Sequence, residues 1–175
     1  NGKKIEEYLS AQGISFRTIP IKEETRENIV ISETDTNAQF RFVMPGADIS
    51  RESAKACLDM LEELKPTYIV ASGSLPPGLT GQFFSDLARL SKKLKARYII
   101  DTSGEPLQMA AKEGVYLLKP NLGELSALVG KENLELNEVD DAAVDIINKG
   151  QCEVIVVSLG PSGAILATKD GCEHI

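Results

Sequence analysis

From Asp48 onward the sequence alternates between short apolar segments and longer segments with one apolar face, and this alternation limits the fold more than any other feature. Four short segments have the apolar composition of buried strands: Tyr68–Ala71, Tyr98–Asp101, Val115–Leu118 and Val154–Val157. Apolar strands separated by amphipathic helices are typical of a parallel sheet covered on both faces. The pattern therefore predicts an α/β protein, with its core in residues 48–175.

The helices between these strands are predicted from apolar residues spaced three and four apart. The first has its apolar face between Ala54 and Leu64 and is ended by Pro66. The others are predicted, in chain order, from a cap at Thr80 to Leu94, over Pro106–Glu113, over Leu122–Val129 and over Glu138–Asn148. After the last parallel strand, Ala164–Ala167 is predicted to return as an antiparallel partner.

The region of about residues 15–45 has a different pattern, which is rich in strands. Strands are predicted at Ser15–Ile21, Asn28–Glu33 and Gln39–Val43. The last two flank the turn residues Thr34–Asn37, which favours an antiparallel hairpin. At the ends of the chain, Asn1–Leu9 resembles the tail of a helix and Cys172–Ile175 the beginning of a strand. We therefore expect residues 1–175 to be the central part of one longer domain.

Composition excludes several classes of partner. The formal net charge of −7 argues against nucleic acid, because phosphate backbones bind basic surfaces. Cys57, Cys152 and Cys172 form no CxxC pair, which favours a reduced, cytoplasmic protein. His174 is the only histidine, so no zinc site is expected. No apolar run reaches the roughly 18–20 residues of a membrane span, so no membrane partner is expected either.

Polar or glycine-rich stretches follow all four predicted parallel strands: Ser72–Gly78, Asp101–Glu105, Lys119–Glu124 and Ser158–Gly163. Parallel sheets bind ligands beyond the carboxyl ends of their strands, so these stretches are candidate site segments. Each also has a purely structural interpretation. Asn121 and Glu124 have the spacing of a helix capping box, and the last stretch fits a hairpin turn.

Taken together, the four stretches indicate a site for phosphate and magnesium. Asp101 and Glu124 are candidates to hold Mg²⁺ through water, because this ion keeps much of its hydration shell. Lys119 supplies a positive charge nearby, and the glycines after Ser158 allow a backbone to approach a nucleotide closely. Neither GxxxxGK[ST] nor GxGxxG occurs in the sequence, so any nucleotide is held in another way.

Six stretches resemble the PfkB family of ribokinase-like sugar kinases, in the order that the family has them: TRENIVI, FRFVMPGA, ASGSLPPG, IIDTSGE, LLKPNLGELSALV and VIVVSLGPSGA. The resemblance implies a three-layer α/β/α sandwich with a small β lid, in which residues 15–45 belong to the lid and substrate side. It also implies a homodimer and ATP-dependent phosphorylation of a sugar phosphate. Within the family, the stretch FRFVMPGA favours a kinase that acts on fructose 6-phosphate. A fructose-1-phosphate kinase and a tagatose-6-phosphate kinase are the alternatives.

The resemblance also implies roles for individual residues. Asn121 and Glu124 match the family element that organises magnesium and the nucleotide phosphates, and Asp101 matches an acidic residue near the metal. The remaining nucleotide-side positions are Lys119, Ser158, Gly160 and Gly163. On the sugar side, Arg26 matches an arginine that binds the phosphate of the substrate, and Ser74 matches a serine that contacts the sugar.

The family's GAGD motif, which supplies the general base and the anion hole, does not occur in the 175 residues. No catalytic base is therefore assigned in this chain, and we expect the chain to be inactive by itself. A nucleotide-binding relative without catalysis is the alternative from a different functional class.

Overall fold

The computed structural model describes residues 2–175 and divides the chain into two compact units. The first unit runs to Cys57 and includes Pro76–Leu79; the second consists of Leu58–Leu75 and Thr80–Ile175. Within the described residues, no helix is both long and apolar enough to span a bilayer. The boundary between the two units falls inside one helix.

The first unit contains helix α1 (Gly2–Ala11) and a two-stranded antiparallel sheet, formed by β1 (Asn28–Ser32) and β2 (Gln39–Val43). This hairpin confirms the sequence prediction. Ser15–Ile21, by contrast, is not a strand, and that prediction was wrong. The segment has alternating apolar residues, but no neighbouring strand pairs with it, and Pro20 has no backbone N–H to donate.

Helix α2 (Arg51–Leu64) begins in the first unit and ends in the second. In the second unit, Leu58 and Leu61 pack against the hydrophobic core, and Glu62 forms an ion pair with Lys93. Lys65 then adopts a positive φ of 46°, which ends the helix before Pro66 as the sequence predicts.

The second unit is built on a six-stranded sheet whose strands lie side by side in chain order. They are β3 (Tyr68–Ser72), β4 (Arg97–Asp101), β5 (Val115–Leu118), β6 (Cys152–Ser158), β7 (Ala164–Thr168) and β8 (Gly171–His174). The first four are parallel, and the last two continue as antiparallel hairpins. This mainly parallel α/β sheet, flanked by helices, confirms the predicted fold class.

Four helices lie in the connections between the parallel strands: α3 (Gln82–Leu94), α4 (Gly104–Glu113), α5 (Leu122–Val129) and α6 (Val139–Asn148). Parallel neighbours joined by right-handed crossovers place their helices on one face of a sheet, and residues of all four helices share one buried cluster with the strands. Helix α3 is preceded by Gly81 without a side-chain cap, so the predicted cap at Thr80 was wrong by one residue.

The two faces of the sheet differ in burial. Across the covered face, the register aligns Ile100, Leu118, Ile155 and Ala167, which are all fully buried. The next row consists of Val70, Ile99, Leu117 and Val154. In this row Val70 is 65% exposed and the other three are partly exposed, so the opposite face keeps accessible apolar surface.

Candidate functional site

The carboxyl ends of β3, β4, β5 and β6 form one continuous rim, as the sequence predicts. Gly73 donates its N–H to the Asp101 carbonyl at 2.8 Å, which extends the β3–β4 pairing past the strand ends. Between the loop after β5 and the last residue of β6, Asn121 and Ser158 form a parallel bridge, and Ser158 donates its N–H to the Pro120 carbonyl at 3.0 Å. Backbone hydrogen bonds thus hold the candidate segments together along this rim.

Asp101 lies at the centre of a small polar group on the rim. Lys119 Nζ is 3.0 Å from Asp101 Oδ1, and Ser72 Oγ donates to Asp101 Oδ2 at 3.3 Å. The Lys119 and Asp101 side chains are 43% and 41% exposed, so this ion pair contributes at most about 1 kcal/mol to stability. Its main consequence is geometric, because it keeps a cation at the carboxyl end of the sheet.

Asn121 and Glu124 form a complete capping box at the start of α5. Asn121 Oδ1 accepts the Glu124 N–H, and Glu124 Oε2 accepts the Asn121 N–H, both at 2.9 Å. The structural interpretation of this pair is therefore correct. It does not exclude a metal role, because a carboxylate has lone pairs beyond the one that receives the backbone N–H.

The turn between β6 and β7 contains two glycines with positive φ angles, 60° at Gly160 and 88° at Gly163. A Cβ at Gly163 would overlap the carbonyl oxygen of Ile175, whereas a Cβ at Gly160 would have no neighbour within 4 Å. Gly163 also accepts the Leu159 N–H through its carbonyl at 2.9 Å. Both geometry and space therefore require glycine at position 163, which gives this turn a structural function as well.

The two candidate sugar-side residues belong to different units. Arg26 is exposed in the first unit, two residues before β1, and Ser74 is exposed in the second unit, two residues after β3. Ser74 follows Gly73, whose φ of 99° turns the chain sharply at the end of the strand. Both side chains are accessible, as a contact with a ligand requires.

Among residues 2–175, no group of three or more histidine, cysteine or acidic side chains is arranged to hold a metal ion directly. The two carboxylates of the rim, Asp101 and Glu124, already accept hydrogen bonds or an ion pair from the protein. Such a donor set suits Mg²⁺ that keeps most of its water ligands, and it does not suit a fully protein-ligated metal.

Two polar residues of the rim were not assigned a role from the sequence. Ser72 is paired in register with Asp101 and donates to its carboxylate. Thr102 is 7% exposed and donates its hydroxyl to the Gly73 carbonyl at 2.8 Å. The sequence does place both residues at strand ends, but their partners become evident only from the pairing of β3 with β4.

A parallel sheet with a cation, a helix cap carboxylate and a glycine turn on its carboxyl rim defines an α/β protein with a candidate site for an anionic ligand at that rim. The chain belongs to the pfkB family of carbohydrate kinases, whose family model matches residues 1–175.

Relatives with assigned activities support this membership. An ATP-dependent 6-phosphofructokinase isozyme 2 of Mycobacterium tuberculosis is 40% identical over 96% of this chain and 50% of its own length. A tagatose-6-phosphate kinase of Staphylococcus epidermidis is 34% identical over 93% of this chain and 53% of its own length. The crystal structure of phosphofructokinase-2 from Escherichia coli with fructose-6-phosphate superposes with a TM-score of 0.93 at 35% identity, covering 99% of this chain and 58% of that one. The chain thus spans about half the length of these relatives.

Proposed function

We propose that the full-length protein is an ATP-dependent sugar-phosphate kinase that converts fructose 6-phosphate to fructose 1,6-bisphosphate. The observation that carries this proposal is the arrangement at the carboxyl rim of the sheet. There Lys119 pairs with Asp101, Asn121 and Glu124 form the capping box, and Ser158 is bridged to Asn121. The relatives named as 6-phosphofructokinase isozyme 2 and as phosphofructokinase-2 support fructose 6-phosphate as the substrate. The general base of the family's GAGD motif would come from outside these 175 residues.

On the nucleotide side, Lys119 binds the ATP phosphates, and the Ser158–Gly163 turn approaches the nucleotide with its backbone. Mg²⁺ bound to ATP supplies charge neutralisation when it is present. Glu124 and Asp101 would hold this hydrated ion through its water ligands, since each carboxylate keeps lone pairs beyond its hydrogen bonds to the protein. On the sugar side, Arg26 binds the phosphate of the substrate with two donors at once, and Ser74 contacts the sugar.

A panel of sugar phosphates tests the proposed substrate. The full-length protein is assayed with ATP and Mg²⁺ against fructose 6-phosphate, fructose 1-phosphate and tagatose 6-phosphate, and kcat/KM is compared. We expect the highest value for fructose 6-phosphate. A higher value for either other sugar would reassign the substrate within the family. Binding of ATP without turnover of any sugar would support the alternative of a nucleotide-binding relative.

We also propose that the full-length protein forms a homodimer through the hairpin. One face of the hairpin carries four apolar side chains that are paired across the strands and about half exposed: Ile29, Ile31, Phe40 and Phe42. A contiguous apolar face of this kind marks a protein–protein contact, and self-association would cover it.

The opposite face of the hairpin provides a matched control for this contact. Val30 lies there, next to Arg41, and is as exposed as Ile31. Sedimentation analysis should find that Ile31→Asp shifts the full-length protein toward monomer while Val30→Asp does not. Equal association of both variants and the unmodified protein would contradict the proposed contact.

A further inference from the structure

Thr102 is a buried residue directly after β4, and its hydroxyl forms a hydrogen bond with the backbone at the end of the neighbouring strand, β3. It is 7% exposed, and its Oγ1 donates to the Gly73 carbonyl at 2.8 Å. Gly73 also donates its N–H to the Asp101 carbonyl at 2.8 Å. Both backbone groups of Gly73 are therefore held by two consecutive residues at the end of β4.

Gly73 is the point at which the chain turns away from β3 toward Ser74. Its φ of 99° lies in a region that other residues rarely adopt. A Cβ there would meet nothing within 4 Å, so the backbone conformation and not lack of space requires glycine. A glycine has few conformational restraints of its own, so hydrogen bonds from outside must fix the direction of the turn.

Two other buried hydroxyls of the described core, those of Ser91 and Ser126, have a different type of partner. Ser91 donates to the Ala88 carbonyl and Ser126 to the Leu122 carbonyl, each inside its own helix. Those bonds do not connect separate segments. Of these three hydrogen bonds, the one from Thr102 connects the end of β4 with the turn that contains Ser74, the candidate sugar contact.

We propose that Thr102 is a positioning residue, which acts through Gly73 to hold Ser74 in the place where it contacts the sugar phosphate. This inference rests on the proposed kinase function. The hydroxyl itself touches no substrate. Its loss should loosen the turn, and a displacement of about 1 Å in a positioning group can cost up to about 100-fold in rate.

The test compares three variants of the full-length protein: Thr102→Val, Thr102→Ser and Ser91→Ala. Valine keeps the shape of threonine but cannot donate, so we expect KM for the sugar phosphate to rise about tenfold while KM for ATP changes less than about twofold. Serine keeps the hydroxyl and should restore both values. Ser91→Ala removes a comparable buried bond and should lower the melting temperature without changing either KM.

Two outcomes would show that the hydroxyl has only a structural role and that the proposal is wrong. In the first, Thr102→Val changes KM for ATP as much as KM for the sugar phosphate; in the second, it changes neither KM value. Gly73→Ala covers the case in which the valine variant does not fold, because it disturbs the same turn through its backbone and should show the same selective rise. Turnover by the unmodified protein is measured separately, so failure of the kinase proposal is distinguishable from failure of the positioning role.

Discussion

The two units of the chain differ most in how much apolar surface they bury. All buried apolar side chains of the described residues lie in the second unit, between Ile69 and Ala167, whereas no described residue of the first unit is buried. Burial of apolar surface is the main favourable contribution to folding. The second unit therefore supplies most of the folding free energy, and the exposed apolar side chains of the first unit are available for contacts with a partner.

The candidate functional residues follow the same division. The proposed nucleotide and magnesium residues stand on the rim of the buried sheet, where strand pairing restrains them. Arg26, the proposed phosphate contact, lies in the unit without a buried core. This difference predicts that substitutions in the two units will separate stability, turnover and sugar affinity from one another.

The largest expected effect comes from one substitution made in both units. Val157 in β6 is fully buried, and Val30 in β1 is 54% exposed. Val157→Ala should lower the free energy of unfolding of the full-length protein by about 3 kcal/mol, because it removes buried methyl groups and leaves a cavity. Val30→Ala should cost less than about 1 kcal/mol. Chemical denaturation measures both, and equal losses would refute the contrast in stability between the units.

Glu124→Gln should show that the rim contributes chemistry more than stability. Glutamine can still accept the Asn121 N–H but has no charge for Mg²⁺, so we expect kcat to fall about 100-fold and the magnesium requirement to rise. Glu138 is the matched control, because it forms the same type of capping box with Glu135. Glu138→Gln should leave kinetics unchanged. A loss of stability without a kinetic change in Glu124→Gln would leave capping as the only role of Glu124.

Arg26→Ala tests the first unit. Since a guanidinium pairs with two phosphate oxygens, its loss should raise KM for the sugar phosphate about tenfold and leave KM for ATP nearly constant. Arg41→Ala is the control, because Arg41 is another exposed arginine of the same unit and its guanidinium donates to Gln39. Equal changes of both KM values would contradict a specific role for Arg26 on the sugar side.

The sequence predicted the second unit well because its signals are local. Strictly apolar strands, helices with apolar faces and the capping box at Asn121 are all determined within a few residues. The false strand at Ser15–Ile21 shows the limit, since a strand exists only when another segment pairs with it. The prediction of a side-chain cap at Thr80 was wrong by one residue. The Thr80 carbonyl accepts the Phe83 N–H, but its side chain does not cap the helix.

The candidate site also contains features that depend on which strands pair, and the sequence does not report them. Lys119, Glu124 and Ser158 could be selected from sequence because carboxyl ends of parallel strands meet at one edge. Ser72 and Thr102 lie in the same stretches, yet their partners depend on the register between β3 and β4. A hairpin turn fixes the register of antiparallel neighbours, but β3 and β4 are parallel and are joined through a helix, so no local turn pattern reports their register.

The smallest expected effect compares one cysteine from each unit. Burial raises the pKa of Cys152 in the second unit to about 12, and it also raises the pKa of the half-buried Cys57 in the first unit. At a pH between the unfolded and the folded pKa, the folded thiol keeps its proton while the unfolded thiol loses it. Stability from this source is complete below the unfolded pKa and is lost as the pH rises toward the folded pKa.

For Cys152 the loss should reach about 1 kcal/mol between pH 8 and pH 9.5, since one pKa unit corresponds to about 1.4 kcal/mol. Unfolding free energies measured across this range should fall less steeply for Cys152→Ala than for the unmodified protein. Cys57→Ala should change the slope less, because water still reaches that thiol. Tyr98, whose pKa burial also raises, is present in every variant and cancels in the comparison. If Cys57→Ala flattens the pH dependence as much as Cys152→Ala, the first unit buries its thiol as effectively as the core, and the contrast between the units is weaker than their exposures indicate.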